Sequence, residues 1–236
     1  DMHDMFFGMS DLTTLDLSNF DTSNVMDMSS MFSNLYDLAM LDLSSFNTSK
    51  VTDMHDMFFG MSDLTTLDLS SFDTSKVTNM AGMFKWIYAL TTLDLSHFDT
   101  SNVTNMREMF KSMSNLTALN LSNFNTSKVT DMRDMFFNMP RLTTLDLSNF
   151  DTSKVTDMNS MFAIFADSPD DKLEKIYVNN DFDTTKLTSF GGVFSDRKKL
   201  RGGNGSYLAN PTAADKTWLR IDDPVHGRPG YFTRKP

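Results

Sequence analysis

Histidine, the side chain most often used for proton transfer and metal ligation near neutral pH, occurs four times, at His3, His55, His97 and His226. His3 and His55 share a repeat position, but the unit between them carries Ser29, so no metal-ligand spacing emerges. There is no cysteine, which removes disulfides, thiol catalysis and thiolate metal sites together. Gly202-Gly-Asn-Gly-Ser206 lacks the Gly-Lys-Ser/Thr ending of a phosphate loop and reads as a turn. Serine recurs in every unit and aspartate in all but the fifth, whereas a catalytic constellation should occur once. Neither catalysis nor a cofactor is expected. What does recur is carboxylate, with 29 Asp against only two Glu, Glu108 and Glu174. At equal intervals such groups could face a partner's hydrogen-bond donors, hold Ca²⁺ between them, or simply face water.

The intervals come from a repeat. Asp1 to Met26, Asp27 to Thr52, Asp53 to Thr78, Asn79 to Thr104, Asn105 to Thr130 and Asp131 to Thr156 align without a gap as six 26-residue units. A period held that strictly marks a stack of coils. Asp157 to Thr188 is a seventh unit with six extra residues, mostly around Ala166 to Lys172, expected as a surface loop. The expected organisation is therefore a repeat domain over 1–188, with a half repeat and C-terminal cap over 189–236. The cap is needed because a last coil leaves its apolar edge in water.

Within a unit two periodicities alternate. Met2, Met5, Phe6 and Met9 fall at i, i+3, i+4 and i+7, the spacing of one helical face, and eighteen of the 20 Met occupy such positions. Asp1, Asp53, Asn105 and Asp131, each followed three residues later by an acid, resemble capping boxes that would start these helices. Leu12 to Ser18 then switches to strand character, with Leu15 and Leu17 inward. Phe20 and Val25 anchor the return turn. The expected fold is an α/β repeat, a curved leucine-rich-repeat-type solenoid. Its parallel sheet lines the concave face, its helices the convex face, and a C-terminal cap closes it. A helix about 10 Å wide beside a strand spacing of about 4.8 Å would supply the curvature.

Stacking puts Asp16, Asp42, Asp68, Asp94, Asn120, Asp146 and then Tyr177 in one outward column. Thr14, Thr66 and Thr92 flank it on one side, with Met40 and Ala118 interrupting, and Ser18, Ser44, Ser70 and Ser96 on the other. These residues form the candidate binding face. Mutual repulsion in such a row is expected to raise the Asp pKa values, which predicts stronger binding in mild acid. A second set of columns, with Asp21 and Lys50 as examples, reads as structural surface pairing.

Composition bounds the rest. The chain has 236 residues, 40% of them apolar and 21 of them Phe, enough for a sizeable core. Its net charge of −10 argues against nucleic acid. No apolar run approaches the roughly 20 residues that span a bilayer. Residues 1–156 carry 9 basic and 20 acidic side chains, whereas 157–236 carry 12 and 11. The cap residues Arg197, Lys198, Lys199 and Arg201 are therefore read as a solvated edge, with docking on an acidic neighbour such as an anionic mucin glycan as the alternative. Sequons such as Asn120-Leu-Ser lie mid-strand on the crowded face, which fits a bacterial better than a eukaryotic secretory origin.

The run from Met57 to Met80 resembles the BspA-type leucine-rich repeat of bacterial surface proteins, in particular the 26-residue form common on lactobacilli and other gut or oral symbionts. Gly202-Gly-Asn-Gly, Trp218 to Asp223 and Pro229 to Thr233 are similar to the close of that module. The resemblance covers nearly the whole chain. It implies an extracellular adhesin at the bacterial cell surface, attached to the wall through segments outside this sequence. Host mucin or an extracellular-matrix glycoprotein is the partner it implies. No binding residue carries over from it. The sequence, starting in mid-repeat, reads as the C-terminal part of a longer array and as a monomer on its own. The alternatives are a passive stalk that spaces another domain from the wall, or a protein–protein interaction module, self-association included.

Overall fold

The computed structural model describes residues 1–168 and 171–236, so part of the insertion expected around Ala166 to Lys172 lies outside the described residues. Successive units are joined in parallel at the same repeat position, Asp27 to Asp53, Asp53 to Asn79, Asn79 to Asn105, Asn105 to Asp131 and Asp131 to Asp157. The next join, Asp157 to Ser189, absorbs the insertion.

The helices do not form. Among the described residues there is no α-helix, only three 3₁₀ turns in the cap, at Pro211–Ala213, Lys216–Trp218 and Pro224–His226. The segment from Met2 to Met9 is instead a chain of turns. Met5, Phe7 and Met9 donate back three residues, to the carbonyls of Met2, Asp4 and Phe6. The N–H groups between them point to the next coil, from Met2, Asp4, Phe6 and Gly8 to the carbonyls of Asp27, Ser29, Met31 and Ser33. A helix would use those donors internally. Asp4, Ser30, Asp56, Glu108, Asp134 and Ser160 have φ of 51–58°, and Gly82 takes the same place with 62°. Such a residue is the third of a turn, and a capping-box acid it is not. With turns in place of helices, neighbouring Phe rings on this side stack only 5.8–6.0 Å apart, from Phe6 to Phe162. The wedge that would have curved the stack is missing, and so is the convex helical layer.

The continuous parallel sheet expected along the concave face is also corrected. Among the described residues there are three short parallel strands, β1 (Thr144–Asp146), β2 (Lys175–Val178) and β3 (Phe232–Arg234), in the order β1-β2-β3. In earlier coils the equivalent segment is not a strand, and few of its backbone groups bond across coils, Asp63 to Tyr36 and Thr65 to Ala39 among them.

Three other devices tie the coils. Thr22, Thr48, Thr74, Thr100, Thr126 and Thr152 are buried, and each hydroxyl donates to a carbonyl in the next coil. All but Thr152 also accept the N–H of the same residue, as Thr74 does from Asp99 at 2.8 Å. Thr52, Thr78, Thr104, Thr130 and Thr156 donate both N–H and hydroxyl to the preceding coil. The apolar positions fill one continuous core: Met28, Met31, Phe32 and Leu35 are fully buried, as are their equivalents in the third to sixth coils. Each such side chain stabilises by roughly 1.5–3 kcal/mol.

The scarcity of Glu now has a cause. In three places per coil an Asp or Asn oxygen accepts the N–H two residues on, as in Asp27 to Ser29, Asp68 to Ser70 and Asp99 to Ser101, all at 2.9 Å. Asp and Asn reach that donor and bend the chain; Glu, one methylene longer, does not close the same ring.

At the C-terminus the stack is closed by rings set across it. Phe232 lies at 83° to Phe162 and 70° to Phe194, and Tyr231 sits between Phe194 and Trp218. Arg197 is buried here, with Nη1 2.7 Å from Asp171 and Nε on the Phe162 carbonyl. It does not belong to the basic surface edge read from the sequence.

Candidate functional site

The Asp16 column is in register. Asp16, Asp42, Asp68 and Asp94 are exposed, as are Thr14, Thr66 and Thr92 on one flank and Ser18, Ser44, Ser70 and Ser96 on the other. Asn120 is exposed too, while Asp146 and Tyr177 are half-buried and paired across β1 and β2. In each of the first six coils Oδ1 accepts the N–H of the serine two residues on, at 2.9–3.1 Å. One oxygen is thus held by the backbone and the other, Oδ2, is left at the surface of Asp16, Asp42, Asp68 and Asp94.

The electrostatics reverse the sequence expectation. The Ser18, Ser44, Ser70 and Ser96 bonds hold the carboxyls of Asp16, Asp42, Asp68 and Asp94 below the usual range. The field of a neighbouring Asp pushes Asp42 and Asp68 up, but it is the smallest cause at each. At Asp146 burial pushes up, and the Lys235 and Ser148 bonds outweigh it. Because a backbone donor two residues away acts at 3 Å and the next carboxylate acts through water, the local bond decides. The row therefore stays ionised in mild acid, and the mechanism expected to strengthen binding there is absent.

A shallow groove of about 550 Å³ runs along the row, lined by Met40, Asp42, Thr66, Asp68, Thr92 and Asp94. The far end of the column, beyond this groove, is covered: the Lys235 ammonium pairs with Asp146, and Thr233 of β3 lies beside Tyr177. No three His, Asp or Glu among the described residues are placed to hold a metal ion. The histidines stay apart, His97 on the Leu69 carbonyl at 2.6 Å and His226 on Asp223 at 2.9 Å.

Sequence reasoning missed a charged network on the turn side. Glu108 bonds Lys85 at 2.5 Å and Lys111 at 3.4 Å, and Lys111 reaches Asp134 at 2.9 Å. Lys85 also lies over the rings of Phe59 and Trp86, and Lys111 over Phe137. The signal was the presence of Lys at a position where the flanking units carry Phe59 and Phe137. Asp56 has no such cation in contact. Burial raises its pKa, and its carboxylate fills the space a side chain at Gly82 would need, with Oδ1 only 1.9 Å from a Cβ there.

The sequence matches, over residues 1–114 and 86–207, the family described as "Mycoplasma protein of unknown function, DUF285". The chain belongs to this family. DUF285 is a bacterial family of BspA-like repeats. No curated protein and no solved structure matches this DUF285 chain. No helix among its described residues is long and apolar enough to cross a membrane.

Proposed function

We propose that this DUF285 chain is part of a bacterial cell-surface adhesin that binds host mucin or a matrix glycoprotein through the Asp16 to Asp94 face, without catalysis. The observation that carries the reading is the row itself, with the carboxylates of the first four coils, Asp16, Asp42, Asp68 and Asp94, each fixed at Oδ1 by its own backbone and exposed at Oδ2. Such a row accepts hydrogen bonds without first having to order its side chains. Because the carboxylates stay ionised, they favour neutral or basic stretches of a glycoprotein over sialylated or sulfated ones. The test is retention on immobilised mucin and on fibronectin against salt, with Asp68→Lys and Asp94→Lys combined. Adhesion through this face predicts at least a tenfold loss in the variant and weakening with salt in the parent. Unchanged retention by a folded variant rejects it. A second reading, a stalk that spaces another domain from the wall, is supported by the unbroken threonine and backbone bonding along the stack. It predicts no retention on either surface.

A further inference from the structure

We infer that a neutral oligosaccharide binds on a second surface, the aromatic corner formed by Tyr36, Phe59, Trp86 and Tyr88, which does not rest on the Asp16 face. The corner residue eight places into each of the first six units has positive φ, and outside the fourth it is Gly8, Asn34, Gly60, Ser112 or Asn138, all small or short polar residues. In the fourth unit it is Trp86, at φ 63°. A bulky side chain in the left-handed region is strained, and strain of this kind marks functional positions. The ring is 38% exposed, so burial does not account for its presence. It packs on Phe59 at 5.0 Å, with the Lys85 ammonium 5.1 Å from it.

Two places further along the unit the column runs Ser10, Tyr36, Ser62, Tyr88, Ser114. Tyr36 and Tyr88 are 44% and 42% exposed. Tyr36 is fixed: its hydroxyl donates to Asn34 Oδ1 at 3.1 Å, and its ring passes over Gly60, where a Cβ would come within 2.6 Å of that same oxygen and 3.4 Å of the ring. Burial, and to a smaller degree the field of Tyr36, push the Tyr88 phenol up, as two hydroxyls on one edge require. The outcome is a set of exposed rings with one Ser hydroxyl between two of them and amides at Asn34 and Asn115 beside them.

The chemistry of the edge selects the ligand. The exposed rings of this edge, Tyr36, Trp86 and Tyr88, each carry a polar atom, Phe59 is half-buried against Trp86, and Ile87 and Leu90, the aliphatic neighbours, are buried. A greasy peptide anchor has no pocket here. The C–H face of a sugar lies flat on an aromatic ring while its hydroxyls meet amide and hydroxyl groups at the rim. Asp37 and Asp63, both exposed, flank Tyr36 and Ser62 and repel an acidic sugar.

Calorimetric titration of the chain with chitotetraose, with cellotetraose and with sialyllactose tests this. Saturable binding of at least one neutral tetramer is expected, with sialyllactose at least tenfold weaker. Trp86→Asn, which relieves the backbone, should melt no lower than the parent yet lose at least tenfold in affinity. The doubly substituted Tyr36→Ala, Tyr88→Ala chain should lose as much. Asp68→Asn with Asp94→Asn should bind the tetramer like the parent, which separates this surface from the Asp16 face. Absence of binding to both neutral tetramers, equal binding of sialyllactose, or full affinity in Trp86→Asn overturns the inference.

Discussion

The regular coils and the C-terminal cap solve the same problem by opposite means. In the coils the bonds that hold the stack are copied: Asp or Asn to the N–H two residues on, Thr74 or Thr100 to the next coil, Phe on Phe nearly parallel. In the cap each bond occurs once. Asp222, 2% exposed, accepts the N–H groups of Asn204 at 2.8 Å, Ser206 at 3.0 Å and Gly230 at 3.3 Å. Tyr231 accepts the Leu208 N–H through its hydroxyl, and Arg197 and Asp171 form a single buried pair. A copied bond can be lost at one coil while its neighbours hold; a unique one has no substitute. Stability in a stack is a sum over neighbouring interfaces, so the end that closes the last interface governs how the stack opens.

The largest effect should therefore come from the cap. Arg197→Met leaves Asp171 buried without its cation and is expected to cost about 3–5 kcal/mol in chemical denaturation, with Asp171→Leu added to it recovering most of the loss. Asp222→Ala, which strips three N–H groups of their acceptor, should cost about 3 kcal/mol and release hydrogen-exchange protection over 202–234 before the coils. In the coils Thr100→Val removes one hydroxyl that serves two backbone groups of Asn125, and about 1–2 kcal/mol is expected from thermal melts. If Thr100→Val proved as costly as Arg197→Met, the contrast between copied and unique bonds would fail.

Smaller effects sharpen the role of the short acids. Asp99→Glu should cost about 0.5–1 kcal/mol, whereas Asp99→Asn should be nearly neutral, since Asn47 and Asn125 already do the same work. The pH dependence has two signs. Carboxyls held below the usual range, Asp21, Asp73 and Asp151 among them, add stability that is present above about pH 4 and is lost as pH falls through their lowered pKa. Asp56 and Asp131, raised by burial, do the reverse and gain as they take up a proton. Asp56→Asn should thus raise the melting temperature slightly at pH 7, and the gain should vanish near pH 4.

The period, the inward Met, Phe, Leu and Val positions and the row at Asp16 were legible because they repeat, and a repeat reports its own register. The helix was not, for a physical reason. A chain of turns closing every three residues buries the same i, i+3, i+4 and i+7 positions as a helix does. The discriminating signs were Gly8, Gly60 and Gly82, with Asn34 and Ser30, at the places where the backbone turns left-handed, all of them poor in helix interiors. Asp or Asn followed two residues later by Ser or Thr was a second sign, and it reappears in every unit. The ionisation of the Asp16 row could not be read from spacing, because the partner that sets it is a backbone N–H rather than another side chain. The pairs Arg197 with Asp171 and Lys235 with Asp146 each draw their cation from residues 189–236, where no period reveals a partner.

The N–H groups of Met2, Asp4, Phe6 and Gly8 and their successors all aim toward the C-terminal end, so the molecule has a polarity along its axis. Beyond the last coil the rings of Tyr231 and Phe232 stand where the carbonyls of a further coil would be. A second copy brought up to that side meets aromatic edges in place of matching acceptors. The cap thereby discourages copies from fusing into fibres, although each coil is shaped to stack on its like.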